Sequence, residues 1–325
     1  MDMNYKKTIL DCIGPTPLVK LNKLVDKDSA TVLVKCENLN PSGSVKDRIA
    51  KYIIEQAEKT GKLKPGGVIV ENTSGNTGLA LAMVAAVKGY KCIFTMPDKM
   101  SQEKINMMKA FGAEVVITPT DVPGDSPEHY VNTAKRIAHE HPNAFYVNQY
   151  HCQENIEAHY YTTAPEIWAQ TEGQFDAFVA GTGTGGTISG VGRFVKERDK
   201  KIKIIGVDPE GSIHYDYFHT QKLVTPKVYQ VEGIGEDIIC EALDFSVVDD
   251  MIQTNDKQAF TTARRLLKEE GLFCGGSSGA IVYGALQVAQ KLGPGKTVIT
   301  LLTDSGNRYV SKFLNDEWMK ENGYL

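Results

Sequence analysis

Between residues 67 and 209, short runs rich in β-branched residues alternate with helical patterns, and this alternation limits the chain more than any other feature. GVIVEN (67–72) is followed by NTGLALAMVAAVKGY (76–90), KCIFTMP (91–97) by SQEKINMMKAFGA (101–113), and EVVITPT (114–120) by SPEHYVNTAKRIAHEH (126–141). The order continues through AFYVNQ (144–149), a helix through Glu166 and Trp168, FDAFVAG (175–181), a helix after Gly186, and KIIGVDP (203–209). Strands separated by helices cannot be joined by tight hairpins, so they pair in parallel with helices covering the sheet. The fold class is α/β.

Near Gln149 the alternation pauses, because HCQENIEAHYYTTAPEIW is long and polar before the next strand. The pause divides the chain into two domains sharing a cleft. The strands on either side end in Gly- or Ser-rich turns, the places where open α/β sheets bind ligands. SIHYDYFHTQKLVTPKVYQVEGIGE (212–236) has the weakest periodicity and reads as irregular connection over or beside that cleft.

Composition excludes several classes. The net charge of -4 over 325 residues, with both signs interspersed, offers no nucleic-acid surface. The longest apolar stretch, Leu79–Val87, is about half of the roughly 20 residues a bilayer requires, so no membrane association is predicted. The N-terminus lacks a signal-peptide core, so the cytoplasm is the expected compartment. Cys12, Cys36, Cys92, Cys152, Cys240 and Cys274 lie far apart without a CxxC, so neither a disulfide framework nor a zinc site is indicated. His139 and His141 are one residue apart, yet no cysteine or carboxylate completes a ligand set, and no metal is predicted.

Four segments carry chemistry. Lys46, in PSGSVKDRIA, follows a turn and opens a helix whose apolar face is Ile49, Ile53 and Ile54. By itself it reads either as a solvated first-turn lysine or as an amine activated for Schiff-base chemistry. ENTSGNTG (71–78) lies between a strand and a helix, and Thr73, Ser74, Asn76 and Thr77 around Gly75 exceed what a helix cap needs. The excess marks an anion site, for a substrate carboxylate. GTGTGGTISG (181–190) again joins strand to helix, and its amides suit a phosphate, with Thr182, Thr184 and Thr187 adding hydroxyls. Gly181, Gly183 and Gly186 also satisfy GxGxxG, with Asp208 as a stand-in ribose acid, so a dinucleotide remains open at this point. GLFCGGSSGA (271–280) is a glycine turn entering an apolar helix, with Ser277 and Ser278 at its start, and reads equally as a plain capped helix.

Taken in order, GPTPLVKLN (14–22), PSGSVKDR (41–48), TSGNTG (73–78), GTGTGGT (181–187) and GGSSGA (275–280) resemble the fold-type II pyridoxal-phosphate enzymes, the cysteine synthase and cystathionine β-synthase group. The resemblance spans nearly the whole chain. It implies the tryptophan synthase β-like fold, two α/β domains with the cofactor in the cleft between them. Residues 1–45 plus 151–325 would form the larger, cofactor-binding domain, and 46–150 the smaller domain, mobile around 90–135. It implies pyridoxal 5'-phosphate held by Lys46 as a Schiff base, with Asn76 on the 3'-hydroxyl, Gly183, Thr184, Gly185, Gly186 and Thr187 on the phosphate, and Ser277 at the pyridine nitrogen. Thr73, Ser74, Asn76, Thr77 and Gln149 would hold the substrate carboxylate, with Tyr150, Glu232 and Gly233 completing the substrate set. A neutral hydroxyl at the ring nitrogen weakens the ring as an electron sink and favours β-elimination over transamination.

Within the group, MPDKMSQEK (96–104), NQY (148–150), VDPEGSI (207–213), VEGIGED (231–237) and DSGNRYVSKFLNDEW (304–318) are more similar to the cystathionine β-synthases than to the cysteine synthases. Glu236 departs from the pattern, standing where animal-type synthases carry tyrosine. The implied reaction joins serine and homocysteine through an aminoacrylate. The alternatives are an O-acetylserine (thiol) lyase, a non-catalytic sulfur-sensing or complex-forming paralogue, and a nicotinamide dehydrogenase using GTGTGG. A homodimer is the assembly the family implies.

Overall fold

The computed structural model describes residues 5–73, 75–98, 100 and 102–325. Ser74 of the TSGNTG turn, and Lys99 and Ser101 of MPDKMSQEK, lie outside the described residues. The strands are β1 (Leu18–Lys20), β2 (Thr31–Cys36), β3 (Val68–Asn72), β4 (Lys91–Pro97), β5 (Glu114–Thr118), β6 (Ala144–Tyr146), β7 (Ala177–Gly181), β8 (Lys203–Pro209), β9 (Asp250–Thr254) and β10 (Thr297–Leu302). The helices are α1 (Lys46–Lys59), α2 (Asn76–Lys88), α3 (Gln102–Ala110), α4 (Tyr130–Glu140), α5 (Gln153–Ala158), α6 (Ala164–Thr171), α7 (Gly186–Arg198), α8 (His214–Thr220), α9 (Asp256–Glu270), α10 (Gly276–Leu292) and α11 (Asp316–Glu321). Every run read as a strand between 67 and 209 contains one.

The chain divides into two compact units. The first comprises the residues through Gly14 with Asn40–Glu154, and the second Pro15–Leu39 with Asn155–Leu325. These bounds differ from the expected breaks at 45 and 150. Gly14 donates its amide to Asn40 Oδ1 (2.9 Å) and Lys51 Nζ donates to the Leu10 carbonyl (3.1 Å), which fastens the early residues to the α1 region. Residues 15–39 go elsewhere because β2 is a strand of the other sheet.

The first unit is a parallel sheet in the order β5-β4-β3-β6. All five residues of β3 are buried, as expected of a central strand covered on both faces. Helix α1 is amphipathic, burying Ile49, Ala50, Ile53, Ile54 and Ala57 at helical spacing. The second unit is ordered β1-β2-β10-β7-β8-β9, parallel throughout except β1 against β2. Its core gathers Val32, Val34, Val179, Val207, Ile281 and Val298, among others, with Phe260 stacked on Phe313 at 5.0 Å between ring centroids.

Two segments depart from the sequence expectation. HCQENIEAHYYTTAPEIW is helical from Gln153 onward, as α5 and a π-helical turn over His159–Thr163 ahead of α6, the helix expected through Glu166 and Trp168. Hydropathy hides this helix because its buried face includes Asn155, His159 and Thr163, whose polar atoms are satisfied by hydrogen bonds. Within 212–236, otherwise irregular, α8 forms one short helix ended by Gln221 in the left-handed region (φ 57°).

The π-helical turn packs tightly on α7. A β-carbon at Gly190 would lie 2.4 Å from the Ile156 carbonyl oxygen, 2.7 Å from His159 Cβ and 2.9 Å from the Tyr160 amide nitrogen. Two of those atoms are backbone and cannot rotate away. Gly190→Ala should therefore destabilise the second unit by about 1–3 kcal/mol or more, read as a lower Tm.

Candidate active site

In the first unit, Lys46 is the first residue of α1, its amide donating to Ser44 Oγ (3.3 Å). The preceding turn is rigid. Asp47, fully buried, accepts from both the Ser42 amide (2.6 Å) and the Ser42 hydroxyl, and Gly43 takes φ 86° as its amide reaches the Asn40 carbonyl (2.7 Å). Lys46 itself is half-buried between the buried Val45 and Asp47, which removes the reading of a freely solvated lysine.

Thr73 follows β3 at its carboxyl end, its amide still paired with the Thr95 carbonyl (3.1 Å). Its Oγ1 accepts from the amides of Gly75 (3.2 Å) and Gly78 (3.1 Å), satisfying two of the amides at the start of α2. A threonine hydroxyl has two lone pairs and one hydrogen. With both lone pairs engaged, Thr73 meets a ligand only as a donor, which is what a carboxylate requires. Thr77 donates its hydroxyl to Gln149 Oε1 (2.7 Å), so two residues 72 positions apart, both expected at the carboxylate, are neighbours. Asn76 opens α2, and Tyr150 follows Gln149, both half-buried.

A residue missed in the sequence arranges this corner. Glu71, on β3, accepts the Asn148 amide at Oε2 (2.7 Å). Asn148 adopts φ 51°, a left-handed conformation that asparagine tolerates, and Gln149 follows it directly. Burial pushes the Glu71 carboxyl up to about 8, against the lowering pull of the Asn148 and Gln149 amides and the Gln149 side chain. Only its full burial, visible after folding, distinguishes it from a surface glutamate.

In the second unit, β7 leads through residues 182–185 into α7. Gly185 takes φ 91°, and a β-carbon there would lie 2.4 Å from Leu243 Cα; at Gly186 it would lie 1.9 Å from Asn155 Oδ1, and at Gly183 3.0 Å from the Gly233 carbonyl oxygen. Side chains are excluded at these three glycines, and among the described residues no side-chain cap bond is made by the N-cap of the 13-residue α7. Thr184 and Thr187 are half-buried, Thr184 accepting from Asn155 Nδ2 (3.1 Å) and Thr187 lying 3.1 Å from His159 Nε2. A phosphate monoester fits this glycine-lined, hydroxyl-flanked turn.

Thr182 corrects the expectation that all three threonine hydroxyls face an anion. It is fully buried, its one hydroxyl hydrogen lying between Asp208 Oδ1 (2.9 Å) and the Val207 carbonyl (3.2 Å). Asp208 also accepts the Tyr215 amide (2.9 Å) and lies 3.8 Å from His214 Nδ1. Burial raises its pKa, offset by His214, the Tyr215 amide, Ser212 and Thr182. Enclosed in this way, Asp208 is not available to a ribose, and the dinucleotide reading loses its acid.

Ser277, the second residue of α10, lies 2.8 Å from Thr303 Oγ1, and a β-carbon on Gly233 would sit 3.7 Å from its hydroxyl. Gly233 and Ser277 are thus close, while Glu232 accepts from Lys312 Nζ (2.7 Å). Asn155, His159 and Thr303 carried no sequence signal.

A family model described as pyridoxal-phosphate dependent enzyme matches residues 9–304. Proteins named cystathionine beta-synthase from Dictyostelium discoideum and Apis mellifera are 47% and 49% identical over 98% of this chain, which spans 63% of each. The chain therefore covers a little under two thirds of the length of these curated relatives. The crystal structure of an O-acetylserine dependent cystathionine beta-synthase from Helicobacter pylori is similar with a TM-score of 0.86 and 39% identity, over 95% of this chain and 99% of that one.

The buried Glu71 gives a pH signature. Its folded pKa lies above that of a solvated carboxyl, so between about 4.5 and about 8 the folded state holds a proton that the unfolded state has lost. Stability from this group is then fully present below that window and declines as pH rises through it. Glu71→Gln should flatten the fall in Tm across that range, and an unchanged slope would refute the assignment.

Proposed function

This chain belongs to the family of pyridoxal-phosphate dependent enzymes, and from that premise we propose that it condenses L-serine with L-homocysteine to L-cystathionine and water. The likeness to cystathionine beta-synthases along almost the whole chain carries this reading. When bound, pyridoxal phosphate delocalises the charge left at the substrate's Cα.

On this reading Lys46 Nζ anchors the cofactor, is freed when the amino acid arrives, and takes the α-proton. The same Nζ would return that proton to the departing hydroxyl, which leaves poorly without one, and would carry the thiol's proton to Cα as the homocysteine sulfur adds at Cβ. Thr73 gives its hydroxyl hydrogen to the substrate carboxylate, and Thr77, its hydroxyl committed to Gln149, offers its backbone amide. Asn76 takes the 3'-hydroxyl, residues 183–187 the phosphate, and Ser277 the ring nitrogen. Tyr150, Glu232 and Gly233 serve the second substrate. The Glu232 carboxylate accepts from Lys312 Nζ, an ion pair that supports an orienting role for Glu232. A cytoplasmic homodimer completes the proposal, and six cysteines without a disulfide agree with a reducing compartment.

A second reading keeps the site and changes the donor, favoured by the O-acetylserine dependence of the Helicobacter pylori relative. An acetate leaves without proton donation, so less is asked of Lys46 after the first step. Steady-state assays with serine plus homocysteine, O-acetylserine plus homocysteine, and O-acetylserine plus sulfide separate the readings by kcat/KM. Cystathionine from serine is the expected outcome, and exclusive use of the acetylated donor refutes it. Lys46→Ala should lose the visible absorbance of the lysine-bound cofactor and lower kcat by roughly 10²–10⁴-fold.

A further inference from the structure

The π-helical turn His159–Thr163 sits between α5 and α6, where the backbone steps out of α-helical register. Such turns are rare and are frequently found at functional sites. Here the turn holds His159, 1% exposed, with Nδ1 2.9 Å from Thr163 Oγ1 and Nε2 3.1 Å from Thr187 Oγ1. Thr163 is fully buried, and Gly190 on α7 permits the close approach that brings the histidine within reach.

A neutral imidazole donates from one nitrogen and accepts at the other, so it gives the three-group chain a direction. In one direction Nδ1–H donates to Thr163 and the Thr187 hydroxyl donates to Nε2. That commits the Thr187 hydrogen to the histidine and leaves only oxygen lone pairs for a ligand, which repel an anion. In the other direction Thr163 donates to Nδ1 and Nε2–H donates to Thr187 Oγ1, so the Thr187 hydrogen is free to point into the 183–187 turn.

We propose that His159 is a positioning residue that holds the second direction and thereby fixes Thr187 as a hydrogen-bond donor to a phosphate ester. Asn155 does the same for Thr184, since its Nδ2 can only donate, and Thr184 Oγ1 is the acceptor at 3.1 Å. One helical segment thus supplies both donors that orient the two hydroxyls of the turn. The inference rests on residues 183–187 being the cofactor-phosphate loop, and the experiment separates the two claims.

The measurements are the rate of pyridoxal phosphate loss from the holoenzyme and the ³¹P chemical shift of the bound cofactor, for His159→Phe, His159→Gln, Thr187→Val and the His159→Phe/Thr187→Val double variant. His159→Phe and Thr187→Val should each speed cofactor loss by up to about tenfold and shift the phosphorus signal, with the double variant no worse than Thr187→Val, as expected when the histidine acts only through Thr187. His159→Gln keeps a donor near the Nε2 position and should stay within about twofold of the parent. A merely structural histidine would lower Tm without moving the phosphorus signal. If His159→Phe does not fold, Thr163→Val frees the imidazole to adopt the other tautomer and should speed loss by about threefold. Additive single effects, an unchanged rate in Thr163→Val, or a silent His159→Phe beside an affected Thr187→Val overturn the positioning role and leave the loop reading intact. A silent Thr187→Val overturns the loop reading and the proposal with it.

Discussion

The first turn of an α-helix has amide hydrogens with no carbonyl partner inside the helix, and both candidate loops are built on that deficit. Where α2 starts, the deficit is met in part by Thr73, whose hydroxyl oxygen takes two of the amides. Where α7 starts, the glycines at 183, 185 and 186 leave no room for a β-carbon, and among the described residues no side-chain cap bond is made by the N-cap. The same backbone feature thus produces two different surfaces, a donor hydroxyl in one unit and a glycine-lined turn in the other. Each stands at the carboxyl end of a buried parallel strand, β3 or β7, because the chain leaves a parallel strand there to enter its crossover helix.

Buried polar groups hold these turns in place. Burial raises the pKa of both Glu71 and Asp208, and the amides, hydroxyls and imidazole around them offset part of its cost. Glu71 seats the Asn148–Gln149 bend that delivers Gln149 to Thr77. Asp208 draws the Thr182 hydroxyl inward, and His214 meets the Thr182 carbonyl with Nδ1 (3.1 Å), which clamps the entry to the α7 turn. Such networks transmit position well because their hydrogen bonds tolerate little displacement.

Much of this was legible beforehand. The strand runs from 67 to 209, the helix starts at Asn76 and Gly186, and the pairing of glycine with hydroxyl residues in the turns all follow from periodicity and local chemistry. The long segment before Glu166 was not, since its buried face is polar and hydropathy registers only apolar burial. The fate of Thr182 was equally hidden. It belongs to the same glycine-rich run as Thr184 and Thr187, yet its side chain is fully buried and meets Asp208, 26 residues away.

Sequence alone determined the fold class, the two-part organisation and the residue types available at each turn, because backbone propensity and apolar periodicity are local properties. Tertiary structure decided which of those residues meet and in which sense their hydrogen bonds run. Thr77 finds Gln149 and Thr187 finds His159 across 72 and 28 residues of chain. A hydroxyl can donate or accept with equal ease, and only a neighbour held at about 3 Å by the fold removes that ambiguity.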